Sequence, residues 1–406
     1  MQVYLARQPI FTRDKSIYAY ELLFRGGMAN YFPDIDGNSA TSRVLSSTFF
    51  SSDIEHITGG KRAFINFTRE LLGMKIPLMF PPSITTVEVL EDVIPDDIIV
   101  ASCKEMSSKG YLIALDDFEY EPCLQPLIHL ADFIKIDFMK SSAEEIHDYL
   151  TRLSGTGAKF LAEKVETYEE FQMALDMGFS YFQGYFFSKP QVMQETDIPA
   201  LKINLLQIMT EANRDDFSVN ELQKLIERDV GISYKLLRYL NSPFFRRRNE
   251  ISSIKHALIM LGEQGIKRFL SVIILAELSN DKPDELLKSS VVRAKMCESL
   301  AARKGTGTDP AEFFTLGLFS LIDAILDSDM ESVLKKLPLS EEIKRALLKK
   351  DNRLSGYLKL TESYEQGDWE GAAYFASAIG IDMEELPAIY FNALGWADSL
   401  LTSQHG

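Results

Sequence analysis

The sequence predicts an α/β domain built as a closed (β/α)8 barrel, followed by an all-helical domain. Three observations carry that reading. Up to about residue 190, short apolar runs alternate with amphipathic stretches, the pattern of βαβ units. Seven or eight such units in about 200 residues favour a closed barrel over an open sheet. After Pro190 the strand pattern stops: the polar stretch QVMQETDIPA leads, from Leu201 onward, into apolar residues spaced i, i+3, i+4. The expected domains are residues 1–200 and 201–406.

In order, residues 2–8 and 17–24 read as two strands about a polar turn, Thr12-Arg13-Asp14-Lys15. The second run, IYAYELLFRG, carries Glu21 among apolar neighbours, with Arg25 after it. A helix-like stretch from Ser39 to Ile57 precedes KRAFINFT, an apolar run holding Asn66. A short helix and a proline-rich break, Pro77 to Ser83, lead to ITTVEVLEDV with Glu88 and Glu91. Helix-like Asp96 to Lys109 comes before YLIALDDFEY, whose apolar run ends on Asp116 and Asp117. Leu124 to Leu130 leads to ADFIKIDFMK with Lys135 and Asp137, and helix-like Ala143 to Gly155 leads to AKFLAEKVET with Glu163 and Glu166. Thr167 to Gly178 is a last amphipathic helix, and FSYFQGYFFSKP closes the half with Gln183.

In the second half, Ser218 and Glu221 have capping-box spacing ahead of VNELQKLIERD, and GISYKLLRYLNS continues the helical period. Further helices are expected at His256 to Leu261, Gly265 to Leu278, Leu286 to Arg303, Phe313 to Ser328, Ser340 to Lys349, Gly356 to Gln366, Trp369 to Ala378 and Met383 to Leu401.

Composition narrows the function classes. A net charge of -16 argues against general duplex DNA binding, with Arg246-Arg247-Arg248 the one local exception. No apolar run approaches the roughly 20 residues that span a bilayer, and MQVYLARQPIF lacks the pattern of a signal peptide. Cys103, Cys123 and Cys297 are scattered, with no pair at metal-ligand spacing, which fits free buried thiols in a reducing cytoplasm.

In a (β/α) barrel, functional groups sit at the carboxyl ends of the strands, facing one mouth. Glu21, Asn66, Glu88, Asp116, Lys135, Glu163 and Gln183 hold matching positions on successive runs. Taken alone, the pair Asp116-Asp117 also reads as a strand end with an Asx turn. Gathered at one mouth, the acids would be a costly buried crowd unless a cation neutralised them. Oxygen donors of this kind suit Mg²⁺ or Mn²⁺, and no histidine or cysteine lies in these runs to serve zinc.

The first half resembles the EAL-type phosphodiesterases that linearise cyclic di-GMP. The resemblance rests on RQPI (7–10), ELLFR (21–25), FINF (64–67), VEVLE (87–91), ALDDF (114–118), IKID (134–137), AEKVE (162–166) and QGYFFSKP (183–190). It implies that Glu21, Asn66, Glu88 and Asp116 ligate one metal and that Asp117 serves a second. It further implies that Lys135 orients the attacking water and that Glu163 assists at the metal site. Gln8, Arg25 and Gln183 are the implied nucleotide contacts, and Glu91 braces the loop after Asp117. Two ions roughly 3.5–4 Å apart would activate water and stabilise the leaving oxygen.

The chain departs from that family at three points. The motif Glu-Ala-Leu reads Glu21-Leu22-Leu23, with Leu22 expected in the outer packing. The family's glycine between Glu163 and Val165 is Lys164, which strand alternation would turn away from the mouth as a surface lysine. The family's glycine- and serine-rich loop is replaced by Glu119-Tyr120-Glu121-Pro122, which lacks the conformations that glycine permits.

In the second half, residues 228–245 and 251–270 resemble HDOD domains, relatives of the metal-dependent HD phosphohydrolases. After GLF, where a hydrolase has adjacent His and Asp, this chain has Ser320 and Leu321. His256 reads as a packing residue, and the expected role is docking, to an unidentified protein partner or to a second copy in a homodimer. Two functions follow. Either the barrel hydrolyses cyclic di-GMP to pGpG under a helical regulatory module, or it is a catalytically silent cyclic di-GMP receptor or a protein-interaction scaffold.

Overall fold

The computed structural model describes residues 4–25, 52–189, 254–279, 282–305, 309–337 and 339–402. The readings made at Ser39, Ser218, Glu221, 228–245 and Arg246 to Arg248 lie outside the described residues. The chain divides into two compact units, Met1–Phe187 with Ser363–Trp369, and Ser188–Glu362 with Glu370–Gly406.

The first unit is a closed barrel of eight strands in chain order. They are β1 (Tyr4–Thr12), β2 (Ile17–Arg25), β3 (Arg62–Phe67), β4 (Thr85–Val89), β5 (Leu112–Leu115), β6 (Phe133–Asp137), β7 (Lys159–Glu163) and β8 (Tyr181–Gln183). Neighbours from β2 to β8 are parallel, but β1 runs antiparallel to both β2 and β8. A short turn joins β1 to β2, and only an antiparallel pair can be closed by so short a connection. The sheet is therefore not parallel throughout.

The helices between strands begin where their caps say. Asp96 caps Asp97–Ser108 through Ile98 and Ile99, and capping boxes open Ala143–Leu153 (Ser142, Glu145) and Tyr168–Met177 (Thr167, Glu170).

Ile10, Ala19, Phe64, Ala114, Phe133, Leu161 and Tyr181 fill one level of the barrel interior. Ring pairs such as Tyr18 with Tyr181, centroids 4.4 Å apart, and Phe64 with Phe133, at 5.2 Å, close that level. Strand residues alternate in direction, so the next inward position on each strand lies two residues further toward the mouth. From this floor those positions are Glu21, Asn66, Asp116, Lys135, Glu163 and Gln183, and on the reversed β1, Gln8. Leu22 faces the opposite way and is fully buried, as expected of outer packing.

In the second unit, helix Ile254–Leu278 is broken by Gly262 at φ 66°, which separates the two helices read from the sequence. Helix Asp284–Lys304 packs against Pro310–Leu318 and Leu386–Thr402. Gly317 makes one of those approaches possible, since a Cβ there would stand 2.4 Å from the Arg293 carbonyl oxygen. The single helix expected from Phe313 to Ser328 is two, Pro310–Leu318 and Ile322–Leu326, broken at Phe319 to Leu321. Helix Met330–Lys336, capped by Asp329, was not legible in the apolar spacing. Among the described residues, no helix is long and apolar enough to cross a membrane. Cys103 and Cys297 are buried, but Cys123 is exposed.

Candidate functional site

The barrel mouth is organised around Lys135, which is wholly buried on β6. Its Nζ lies 2.6 Å from Asp116 Oδ1, 2.7 Å from Glu88 Oε1, 2.9 Å from Glu163 Oε1 and 3.3 Å from Glu21 Oε2. Glu21 is held further by Asn66 Nδ2 on Oε1 at 2.9 Å and by Gln183 Nε2 on Oε2 at 2.7 Å. Gln183 Nε2 also donates to Gln8 Oε1 at 2.9 Å. Gln183 thus orients an acid as well as facing the mouth. Its main chain is set by Gly184, at φ 143°, where a Cβ would stand 2.1 Å from the Val165 carbonyl oxygen.

Charge and burial are strongly opposed here. Burial alone would pull the Lys135 ammonium down, yet Asp116, Glu163, Glu21 and Glu88 raise it well above its ordinary value. Burial pushes the Glu163 carboxyl up to about 8, and it raises Glu88 and Asp116 as well. Burial acts on Glu21 in the same sense, but Lys135, Gln183 and Asn66 together hold it below the usual range. Several oxygens remain buried without a hydrogen bond, among them Asn66 Oδ1, Glu88 Oε2 and Glu163 Oε2. Such atoms are costly unless satisfied.

These oxygens suit a hard dication in kind and number. As they stand, no three acid, histidine or cysteine groups among the described residues are spaced to hold an ion, because the acids close on Lys135 instead. Glu21, Asn66, Glu88 and Asp116 are brought together, and Glu163 lies beside them. Arg25 lies on β2 opposite Tyr4, with its side chain outside the described residues. Glu91 borders the same cavity but is exposed, and among the described residues it makes no hydrogen bond to the loop after Asp117. That loop is held by Phe118, which is buried, donates its N–H to the Lys135 carbonyl and packs edge-on against Tyr149.

Lys164 is exposed, as expected of a surface lysine, but strand alternation does not set its direction. β7 ends at Glu163, and Lys164 has φ 54°, a left-handed turn that permits glycine most easily. Its ammonium bends back to Asp137 and lies 3.5 Å from Asp117 Oδ1. Lys140 Nζ meets Asp117 Oδ2 at 2.6 Å. Burial would raise Asp117, but Lys140 and Lys164 hold it below its ordinary value. Lys140 and Asp137 were missed as members of this cluster; the only signal was Asp137 ending the same strand as Lys135.

In the helical unit, Ser320 Oγ donates to the Gly317 carbonyl at 2.7 Å, and Leu321 is buried. Arg293, nearly buried, brings Nη1 to 3.4 Å from Ser320 Oγ and 3.2 Å from Glu362 Oε1. A guanidinium therefore stands beside the position where a hydrolase's His and Asp would be. The side chain of His256 lies outside the described residues.

Comparison with known proteins adds identity. The EAL domain model matches residues 60–190 and the HDOD domain model residues 198–352. The chain is 36% identical over 412 residues to the uncharacterized protein YuxH of Bacillus subtilis, covering 100% of both. It is 34% identical over 400 residues to the cyclic di-GMP phosphodiesterase CdgJ of Vibrio cholerae, covering 98% of this chain and 93% of that one. Among solved structures, the Bacillus subtilis YkuI protein, with an EAL domain and in complex with cyclic di-GMP and calcium, matches 55% of this chain and 71% of its own. That match has 18% identity and a TM-score of 0.36.

Proposed function

Because this chain belongs to the family of proteins that join an EAL domain to an HDOD domain, we propose that its barrel is a cyclic di-GMP phosphodiesterase. One observation carries the reading: Glu21, Glu88, Asp116 and Glu163 meet at one mouth with buried oxygens left unsatisfied. A divalent cation, Mg²⁺ or Mn²⁺, would be held by Glu21, Asn66, Glu88 and Asp116. It would supply Lewis-acid stabilisation of phosphodiester charge and a more acidic water.

The chain's own residues do the rest. Gln183 and Asn66 fix the Glu21 carboxylate so that its direction does not depend on the ligand. Lys135, freed from some of its acids once they turn to a cation, is placed to orient a water. Glu163, which lies 2.9 Å from the Lys135 ammonium at the same mouth, would accept the proton of that water. Water adds to phosphorus, one P–O3′ bond breaks, and linear pGpG forms with the proton on the released 3′ oxygen. Arg25 would contact a phosphate as a planar fork, and Gln8 the nucleotide.

We place the barrel at residues 1–200 and the helical module at 201–406, in the cytoplasm, with the helical module as the surface for a protein partner or a second copy. A second reading, a receptor that binds without cutting, is favoured by the two lysines on Asp117 and by the loop that carries Pro122. Incubating the full chain with cyclic di-GMP and Mg²⁺ or Mn²⁺, with product analysis, separates the two. Linear product supports the enzyme, and bound but intact nucleotide supports the receptor.

A further inference from the structure

Asp117 is tied from two sides. Lys140 donates to Oδ2 at 2.6 Å, and the Lys164 ammonium lies 3.5 Å from Oδ1. Lys164 is itself anchored on Asp137, a buried carboxylate whose Oδ1 also accepts the main-chain N–H groups of Met139, at 2.7 Å, and Lys140, at 3.2 Å. Asp117 and Lys164 both take positive φ, 40° and 54°, and both side chains border the same cavity.

We propose that the barrel loads a single divalent cation, and that Lys140 and Lys164 hold Asp117 where a second cation would otherwise bind. The inference rests on the reading of the mouth as a dication site. Lys140 and Lys164 are both about half exposed, but among the described residues Lys140 pairs with Asp117 alone, so it is the weaker obstacle. Lys164 is the stronger one. Its backbone is fixed by the left-handed turn, and releasing its ammonium would leave buried Asp137 without its cationic partner. A dication on Asp117 would also face two like charges within a few ångströms, where water screens them only in part.

The deciding residue is therefore position 164. Glycine there suits the observed φ and removes the ammonium, so Lys164→Gly should fold. The test is Mn²⁺ stoichiometry on the metal-stripped full chain, read by paramagnetic resonance of free Mn²⁺ and by calorimetry. One Mn²⁺ per chain is expected for the natural sequence and for Lys140→Ala. Two are expected for Lys164→Gly, falling back to one in Lys164→Gly with Asp117→Asn. Two ions in the natural sequence would overturn the proposal, and so would one ion in Lys164→Gly combined with Lys140→Ala. No Mn²⁺ in any variant, with folding verified by circular dichroism, would remove the dication reading and this inference with it.

Discussion

Lys135 in the barrel and Arg293 in the helical unit are both buried cations, and the groups seen beside them differ in kind. Lys135 has Glu21, Glu88, Asp116 and Glu163 within 3.3 Å, more acidic groups than one ammonium can pair, and burial raises Glu163, Glu88 and Asp116. Arg293 reaches an acid, Glu362, and a neutral hydroxyl, Ser320, among its contacts. Burial of a charge is tolerated when it is paired, and the pairing decides what more the site requires. Surplus carboxylates with unsatisfied oxygens call for a further cation. A guanidinium beside Ser320 and Leu321 works against one. The barrel thus gathers four acids around a lysine, and the helical unit sets an arginine beside Ser320.

The largest effect to look for is all or none. Metal analysis of full-length Glu21→Gln with Asp116→Asn should find no stoichiometric Mg²⁺, Mn²⁺ or iron, whereas the natural sequence should retain a dication after loading. Stoichiometric iron or manganese in that variant would place a metal in the helical unit and break the comparison.

Next in size is the consequence of removing each cation. Lys135→Met leaves several buried acids without their counter-charge and should cost about 3–5 kcal/mol in metal-free protein. Added Mn²⁺ should restore much of it. Arg293→Met should cost less, about 1–3 kcal/mol, because the Glu362 side chain is 31% exposed and can turn to water. Urea unfolding with and without Mn²⁺ measures both, and equal losses unaffected by Mn²⁺ would erase the distinction.

Nucleotide affinity should depend on the barrel's charged fork. Arg25→Ala is expected to weaken cyclic di-GMP binding by about 1.5–3 kcal/mol, roughly ten- to a hundredfold, whereas Asp117→Asn should stay within a few fold. If calorimetry found Asp117→Asn as damaging as Arg25→Ala, Asp117 would be needed to hold the nucleotide.

The smallest effect is in pH. Glu163 is raised in the folded barrel to about 8 from an ordinary value of 4.5, so the folded state binds more protons between those values. Its contribution to stability is complete below the lower value and is lost as pH rises through the window. The melting temperature of metal-free protein should decline from pH 5 to pH 8, and Glu163→Gln should flatten that slope. An unchanged slope in Glu163→Gln would assign the proton to another acid.

Much of this site was legible because inward strand positions repeat every second residue. Once Phe64, Phe133 and Leu161 are read as interior, Asn66, Lys135 and Glu163 must face the same space one level nearer the mouth. The helical unit was legible by its 3.6-residue period, including the break that Gly262 makes between two helices. The period failed at Phe319 to Leu321, where the apolar spacing runs on although the backbone turns. A buried loop of apolar residues carries the same pattern as the helices beside it.

By itself, then, the sequence determined the barrel, the helical class of the second half and the set of side chains that line the mouth. Those follow from periodicities that local backbone geometry imposes on any chain. The tertiary structure decided how that set is spent. It turned β1 antiparallel through a short hairpin, drew four acids onto Lys135, and put Arg293 beside Ser320. It also bent Lys164 back onto Asp137 and toward Asp117, against the direction that strand alternation gives. Long flexible side chains take their direction from a single φ and from whichever opposite charge the fold brings near, and neither is written in the spacing of residues along the chain.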